Sequence, residues 1–174
     1  MTMDFASALA FDVIAWTLWG VSCGYLAHRA PLALLERDSW LTRLRGVEDG
    51  GKVYTRRLRL GVWKKWLPEA SSVFGPGFFK GTLRSRDPFY LRRFVAETRR
   101  AELTHWSQLA LLPCLVLVNP WHLGVIMTLY GLCANAPFIM LQRSNRGRLL
   151  RVLAARRPSS TLGGMQSIQR ALPA

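Results

Sequence analysis

Two long windows of this chain hold no lysine or arginine, and they are also its apolar windows. Residues 1–28 carry no basic side chain, and neither do residues 103–142. The segment 29–100 holds 17 of the 24 basic residues and 143–174 holds the other 7. A water-soluble domain intersperses charge and hydrocarbon; a chain that separates them this fully is expected to place the blank windows in a bilayer. With a formal net charge of +14 but 50% hydrophobic residues, the chain is too apolar for a disordered basic tail. Its 3 cysteines are too few for a disulfide scaffold.

The first window, residues 5–27, is long enough at about 1.5 Å per residue to cross a hydrocarbon core of about 30 Å. Its only formal charge is Asp12. Secretory signal peptides begin with a positive region, whereas the early charges here are Asp4 and Asp12; a retained helix is expected. The second window holds a span at about 121–141 and, before it, an apolar stretch at 105–118. That stretch is short for a span. We expect the span at about 100–118, with a helix that reaches full length by starting near Asp87-Pro88. Asn119-Pro120 reads as the tight turn between the two. Pro113 and Pro137 would break soluble helices and are tolerated in membrane helices, where neighbours satisfy the freed carbonyls.

Three spans put every basic residue on one side. By the positive-inside rule that side is the cytoplasm, so the N-terminus and the Asn119-Pro120 turn are expected outside and the C-terminus inside. The fold class expected is an all-α integral membrane protein, a single membrane domain over residues 1–174. Residues 28–99 form a cytoplasmic interfacial region with amphipathic helices, and 142–174 a basic tail. Within the region, residues 31–45 alternate leucine with charge and read as a helix along the membrane surface. Trp63 and Trp66 among Lys64, Lys65 and Arg59 suit the headgroup level. Residues 72–81, rich in Gly, Pro and Phe, suit a loop that dips into the interface. The charge flanks spans and forms no stand-alone basic module, so nucleic acid is not expected as a partner.

The segment 94–109 carries the chemistry. On a helix, taking Glu97 as zero, Ala101 falls at about 40°, His105 at about 80° and Glu102 at about 140°. Two carboxylates therefore flank one imidazole, and Glu102 and His105 are close enough to touch. A carboxylate that fixes the tautomer of a histidine raises its basicity, as a general base requires. The same spacing also suits an interfacial network in which Glu97 pairs with Arg93 or Arg100 and His105 caps the water boundary. Glu-x-x-His is half of a di-iron helix motif, but no second copy occurs, so no metal and no cofactor are expected. Asp12 suits either a helix–helix hydrogen bond or the site. His28, His122, Asn119 and Asn135 suit structural roles at span ends, turns and helix contacts, and Cys23, Cys114 and Cys133 are read as small apolar fillers. There is no Gly-x-Ser-x-Gly elbow, phosphate loop or dinucleotide fingerprint, and no histidine is followed by the x-x-x-x-Asp of glycerolipid acyltransferases.

Several strings occur together and in order: LRGVEDGGKVY from Leu44, WKKWLPE from Trp63, FGPGFFK from Phe74, YLRRFVAETRRAELTHW from Tyr90, NP at Asn119 and MTLYGLCANAPFIMLQRSNRGRL from Met127. With these the chain resembles the glycosyl-4,4'-diaponeurosporenoate acyltransferase family over residues 44–149, departing at Ser144, where the family string has an aromatic. The resemblance implies a membrane enzyme that esterifies a sugar hydroxyl of a carotenoid glycoside with a fatty acyl chain. It carries over no catalytic residues. From chemistry we expect His105 as general base, Glu102 as its orienting partner and Glu97 as a second one. Lys64, Lys65 and Arg100 would hold an acidic acyl carrier or lipid headgroup, or help stabilise the oxyanion. Expected partners are membrane lipid, a lipid or glycosylated isoprenoid acceptor and an acyl donor. The alternative of another class is a non-catalytic subunit that scaffolds a lipid-modifying enzyme with the same topology.

Overall fold

The computed structural model describes residues 4–67, 84–85 and 87–156. Among these every regular element is helical: α1 (Phe5–Arg29), α2 (Lys52–Arg56), α3 (Leu60–Trp63), α4 (Pro88–Leu109), α5 (Leu112–Val118) and α6 (Trp121–Ala154), with short 3-10 turns at Leu32–Leu35, Gly46–Gly51 and Lys64–Trp66. Three stretches are long and apolar enough to cross a membrane: Phe5–Arg29, Pro88–Val118 and Trp121–Ala154. The expected interfacial loop at 72–81 and the end of the tail from Pro158 lie outside the described residues.

Cap chemistry sets the ends. The Asp4 carboxylate accepts the Ser7 N–H at 2.8 Å to open α1. Asp87 accepts that of Tyr90 at 2.9 Å to open α4, with Pro88 in the first turn, where no N–H is needed. The second span therefore begins at Pro88, well before residue 100, as the longer version of the helix required. It breaks at Ala110-Leu111 because Pro113 offers no N–H to the carbonyl four residues before it. The Ser107 carbonyl near this break accepts the indole N–H of Trp19 at 2.8 Å and so ties α1 to α4. Asn119 and Pro120 separate α5 from α6, as the turn reading required.

The three spans pack with one end apolar and one end charged. At the turn end, Ala8, Leu115, Leu123 and Met127 form a buried cluster, and Phe5 stacks on His122. Gly131 sits where a Cβ would lie 2.8 Å from both Leu112 and Trp16, a small residue at a helix contact. Outward-facing Ile14, Leu18, Leu26, Leu117, Leu129 and Leu132 are exposed, which suits a surface solvated by hydrocarbon. Hydroxyls in the spans bond back to their own helices, as Thr17 does to Val13 and Ser22 to Leu18.

One expectation fails at the other end. The third helix runs past the expected span of 121–141 through Ala154, so the first part of the tail is helical. The failure is at residues 31–45, which do not form a surface helix. Beyond the Leu32–Leu35 turn the chain is irregular, because its carbonyls are used elsewhere. Those of Leu35 and Glu36 accept from Arg99, those of Leu41 and Arg43 from Arg143, and that of Thr42 from Arg146. A carbonyl held by a guanidinium is not free for an i+4 amide. The segment is instead a strap across the charged ends of α4 and α6. Trp40 and Trp66 point outward from this end, each beneath a cation, Arg45 and Lys65 respectively.

Candidate functional site

The charged end is built around α4 and α6. Glu102 on α4 is fully buried. Its Oε1 accepts from Arg143 Nη1 at 2.8 Å and from the Trp106 indole at 3.2 Å. Its Oε2 lies 2.6 Å from Arg146 Nη2. Arg143 also reaches Glu48 on the preceding loop, with Nε to Oε2 at 3.0 Å and Nη2 to Oε1 at 3.1 Å. Two carboxylates and two guanidiniums thus form a neutral buried layer, which such depth demands of charge. Burial alone would raise the Glu48 carboxyl. The Arg45 N–H, Arg143 and the Tyr54 hydroxyl outweigh it and hold the group below its usual range. The Tyr54 hydroxyl, half-buried and donating to Glu48, is pushed up to about 12.

The loop reaches α6 because two glycines let it. Gly51 has φ +85°, and a Cβ there would lie 2.9 Å from the Arg143 carbonyl; a Cβ on Gly147 would lie 1.8 Å from the Gly50 carbonyl oxygen. Backbone meets backbone at that crossing, and this is where Glu48 gains access to Arg143.

His105 lies one helical turn from Glu102, on the apolar side of the layer. Its partner is not Glu102, as the spacing had predicted, but Asn135 of α6. The distance from His105 Nδ1 to Asn135 Oδ1 is 2.9 Å. The Asn135 amide nitrogen donates to the Gly131 carbonyl at 2.9 Å, which turns its oxygen toward the ring. An oxygen accepts only, so Nδ1 carries the hydrogen and Nε2 keeps its lone pair. The ring stacks on Phe138 with centroids 4.7 Å apart and planes 11° apart. Nε2 has no hydrogen-bond partner among the described residues, and the side chain is half-buried. Asn135 thus holds the place expected for Glu102.

The other expected residues separate. Glu97 pairs with Arg100 at 3.1 Å, the arrangement of the interfacial alternative, and is not drawn to His105. Arg100 closes the end of α1 by donating to the carbonyls of Ala27, His28 and Ala30, so it is a helix cap rather than a headgroup site. Lys65 stands over Trp66. Lys64 lines a cleft of about 380 Å³ with Lys52, Arg56, Ser144, Arg148 and Arg151. Asp12 is buried at the opposite end and accepts from Asn119 at 2.8 Å; it serves helix contact, far from His105. The sequence reading missed Asn135, Phe138, Arg143, Arg146 and Glu48. One signal was present: Asn135 is a polar residue in an apolar span, and polar groups at membrane depth tend to be functional. Arg143 and Arg146, three apart just past the apolar run, were a second.

A family model described as glycosyl-4,4'-diaponeurosporenoate acyltransferase matches residues 37–155. A Staphylococcus haemolyticus protein of that name is 28% identical over 135 residues, 77% of this chain and 78% of the relative. Staphylococcus aureus proteins of the same name, from strains bovine RF122 / ET3-1 and USA300, are 24% identical over 144 residues, 82% of this chain and 86% of each relative. No solved structure matches the chain significantly. The matched segment takes in most of the strap, the loop, all of α4 and α6 and the His105–Asn135 pair. The chain therefore belongs to the glycosyl-4,4'-diaponeurosporenoate acyltransferase family, a family of enzymes rather than of non-catalytic subunits.

Proposed function

We propose that the protein transfers a fatty acyl group to a sugar hydroxyl of a glycosylated carotenoid-type lipid, with His105 as general base. One observation carries this reading: an imidazole whose Nδ1 is pinned by Asn135 presents an unengaged Nε2 at the seam between the charged layer and the apolar helices. A lipid acceptor keeps its isoprenoid among the spans and brings its sugar to that seam. Nε2 takes the proton of the sugar hydroxyl as the oxygen attacks the acyl carbonyl. The carbon–heteroatom bond to the donor's leaving group then breaks, and that group departs with the proton from His105. Asn135 is the positioning residue, while Glu102 supports the helix pair from the layer below and touches neither reactant. The orientation is the positive-inside one, with the C-terminus and charged end in the cytoplasm. The names of the relatives support the acceptor class.

The test is transfer by the purified protein in detergent, from a labelled acyl donor to a glycosylated carotenoid. His105→Ala should lower turnover by roughly 10²–10⁴-fold without changing the unfolding midpoint. Asn135→Ala should shift the pH profile of turnover as well as its height, because the ring loses its fixed tautomer. Normal transfer by His105→Ala removes this residue from the chemistry.

A further inference from the structure

The cleft that Lys64 lines has no role in the chemistry above. Five cations surround it, namely Lys52, Arg56, Lys64, Arg148 and Arg151, together with Thr55, Ser144 and Asn145 as hydrogen-bonding groups. Asp49 pairs with two of these cations, 3.7 Å from Lys52 and 3.4 Å from Arg56. Arg151 donates to the Gly50 carbonyl. Lys64 and Arg148 have no ion-pair partner among the described residues. The contrast is with Arg143 and Arg146 on the same helix, each paired to a carboxylate. A surplus of cations around a cleft of about 380 Å³ is the electrostatic form of a polyanion site, and its volume is in the range of small-molecule sites.

We propose that this cleft binds phosphate esters, and that it holds the phosphorylated nucleotide end of a long-armed acyl thioester donor. A phosphate monoester carries between one and two negative charges at neutral pH and suits guanidinium forks. The choice of donor follows from spacing and rests on the reading of His105 given above. Asn135, which holds His105, and Arg148, in the cleft, are thirteen residues apart on α6, roughly 20 Å at 1.5 Å per residue. In a glycerophospholipid the acyl ester lies only a few bonds from the phosphate, so a headgroup seated in the cleft would leave its carbonyl far from Nε2. A thioester on an extended pantetheine-type arm separates the two ends. Transfer then forms the sugar O–acyl bond and breaks the C–S bond, and the thiolate leaves as the thiol with the proton taken up by His105.

The experiment is binding of coenzyme A to the full chain in nanodiscs of neutral phosphatidylcholine, followed by calorimetry. Saturable binding is expected. Arg148→Glu and Lys64→Glu should each weaken it at least tenfold, and dephospho-coenzyme A should bind the unaltered chain more weakly, a control independent of any variant's folding. His105→Ala should bind as well as the unaltered chain, so loss of turnover in that variant cannot be confused with loss of this site. Absence of coenzyme A binding, or equal binding by the Arg148 and Lys64 variants, overturns the proposal. A second arm replaces part of the lipid with phosphatidylglycerol. Enrichment of that lipid around the protein that depends on Arg148, without coenzyme A binding, identifies a headgroup site and overturns the donor assignment.

Discussion

Helix α6 carries two groups of basic residues within three turns, and they behave oppositely. Arg143 and Arg146 are buried and bond to Glu48, Glu102 and the strap carbonyls. Arg148 and Arg151 face a cleft among three further cations. The first group is neutral as a set; the second is not. In a chain with net charge +14, abundance of arginine says little about role, and the presence or absence of a paired carboxylate says much. Paired guanidiniums hold α4, α6 and the strap together. Those in surplus are available to something that is not part of the protein.

Breaking the neutral layer should give the largest effect. Arg143→Ala leaves two buried carboxylates, Glu48 and Glu102, short of their shared cation, and loss of one partner from a buried pair costs about 3–5 kcal/mol. The expected result is a collapse of monodisperse protein in detergent and a large fall in the thermal midpoint. Arg143→Lys should recover little of it, since one ammonium cannot replace a fork that contacts Glu48, Glu102 and two carbonyls. If Arg143→Ala unfolds no more readily than Arg148→Ala, the distinction between the two groups is wrong.

Next in size is Gly147→Ala. The new methyl would lie 1.8 Å from the Gly50 carbonyl oxygen, a rigid backbone contact, so the loop must leave α6 and carry Glu48 away from Arg143. Overpacking of this kind costs typically 1–3 kcal/mol. Gly131→Ala makes the fair control, because there the 2.8 Å neighbours are the side-chain ends of Leu112 and Trp16, which can rotate. Limited proteolysis in the 46–56 segment should rise sharply for Gly147→Ala and stay unchanged for Gly131→Ala.

The two ends of the molecule were not equally legible in its sequence. At the apolar end, hydropathy fixed the spans, and the local chemistry of Asp87-Pro88 and Asn119-Pro120 marked the start of α4 and the turn after α5. Such signals lie within a few residues of what they specify. At the charged end the partners are remote: Glu102 and Arg143 are 41 residues apart, and Glu48 and Arg143 are 95. Helical spacing set Glu102 one turn from His105 but could not show that guanidiniums from α6 would claim the carboxylate. The same competition turned residues 31–45 from an expected surface helix into a strap, since leucine spacing records which side chains share a face and not which carbonyls an arginine will take. The spacing argument singled out His105 with Glu102 as its partner, while Asn135, to which the ring bonds, was passed over as a packing residue because an amide carries no charge to count.

The smallest effect is a titration, and it reads the neutral layer without breaking it. The Tyr54 hydroxyl is held up at about 12 by burial first and then by the Glu48 carboxylate it donates to. Its value is raised in the fold relative to an unfolded phenol near 10. It therefore adds stability that is fully present below about pH 10 and lost as pH climbs toward 12. Glu48 has the opposite sign. Held below its usual range, it adds stability that is present above the ordinary carboxylate value and lost as pH falls through the folded one. Tyrosinate absorbance of the unaltered protein minus that of Tyr54→Phe should give a midpoint about two pH units above an ordinary tyrosine. Glu48→Gln should bring the difference curve back toward 10, because the amide takes away the negative charge that opposes ionisation. An ordinary midpoint in the unaltered protein would mean that the loop does not seat Tyr54 against Glu48, and the layer would then lack the contact that joins it to α2.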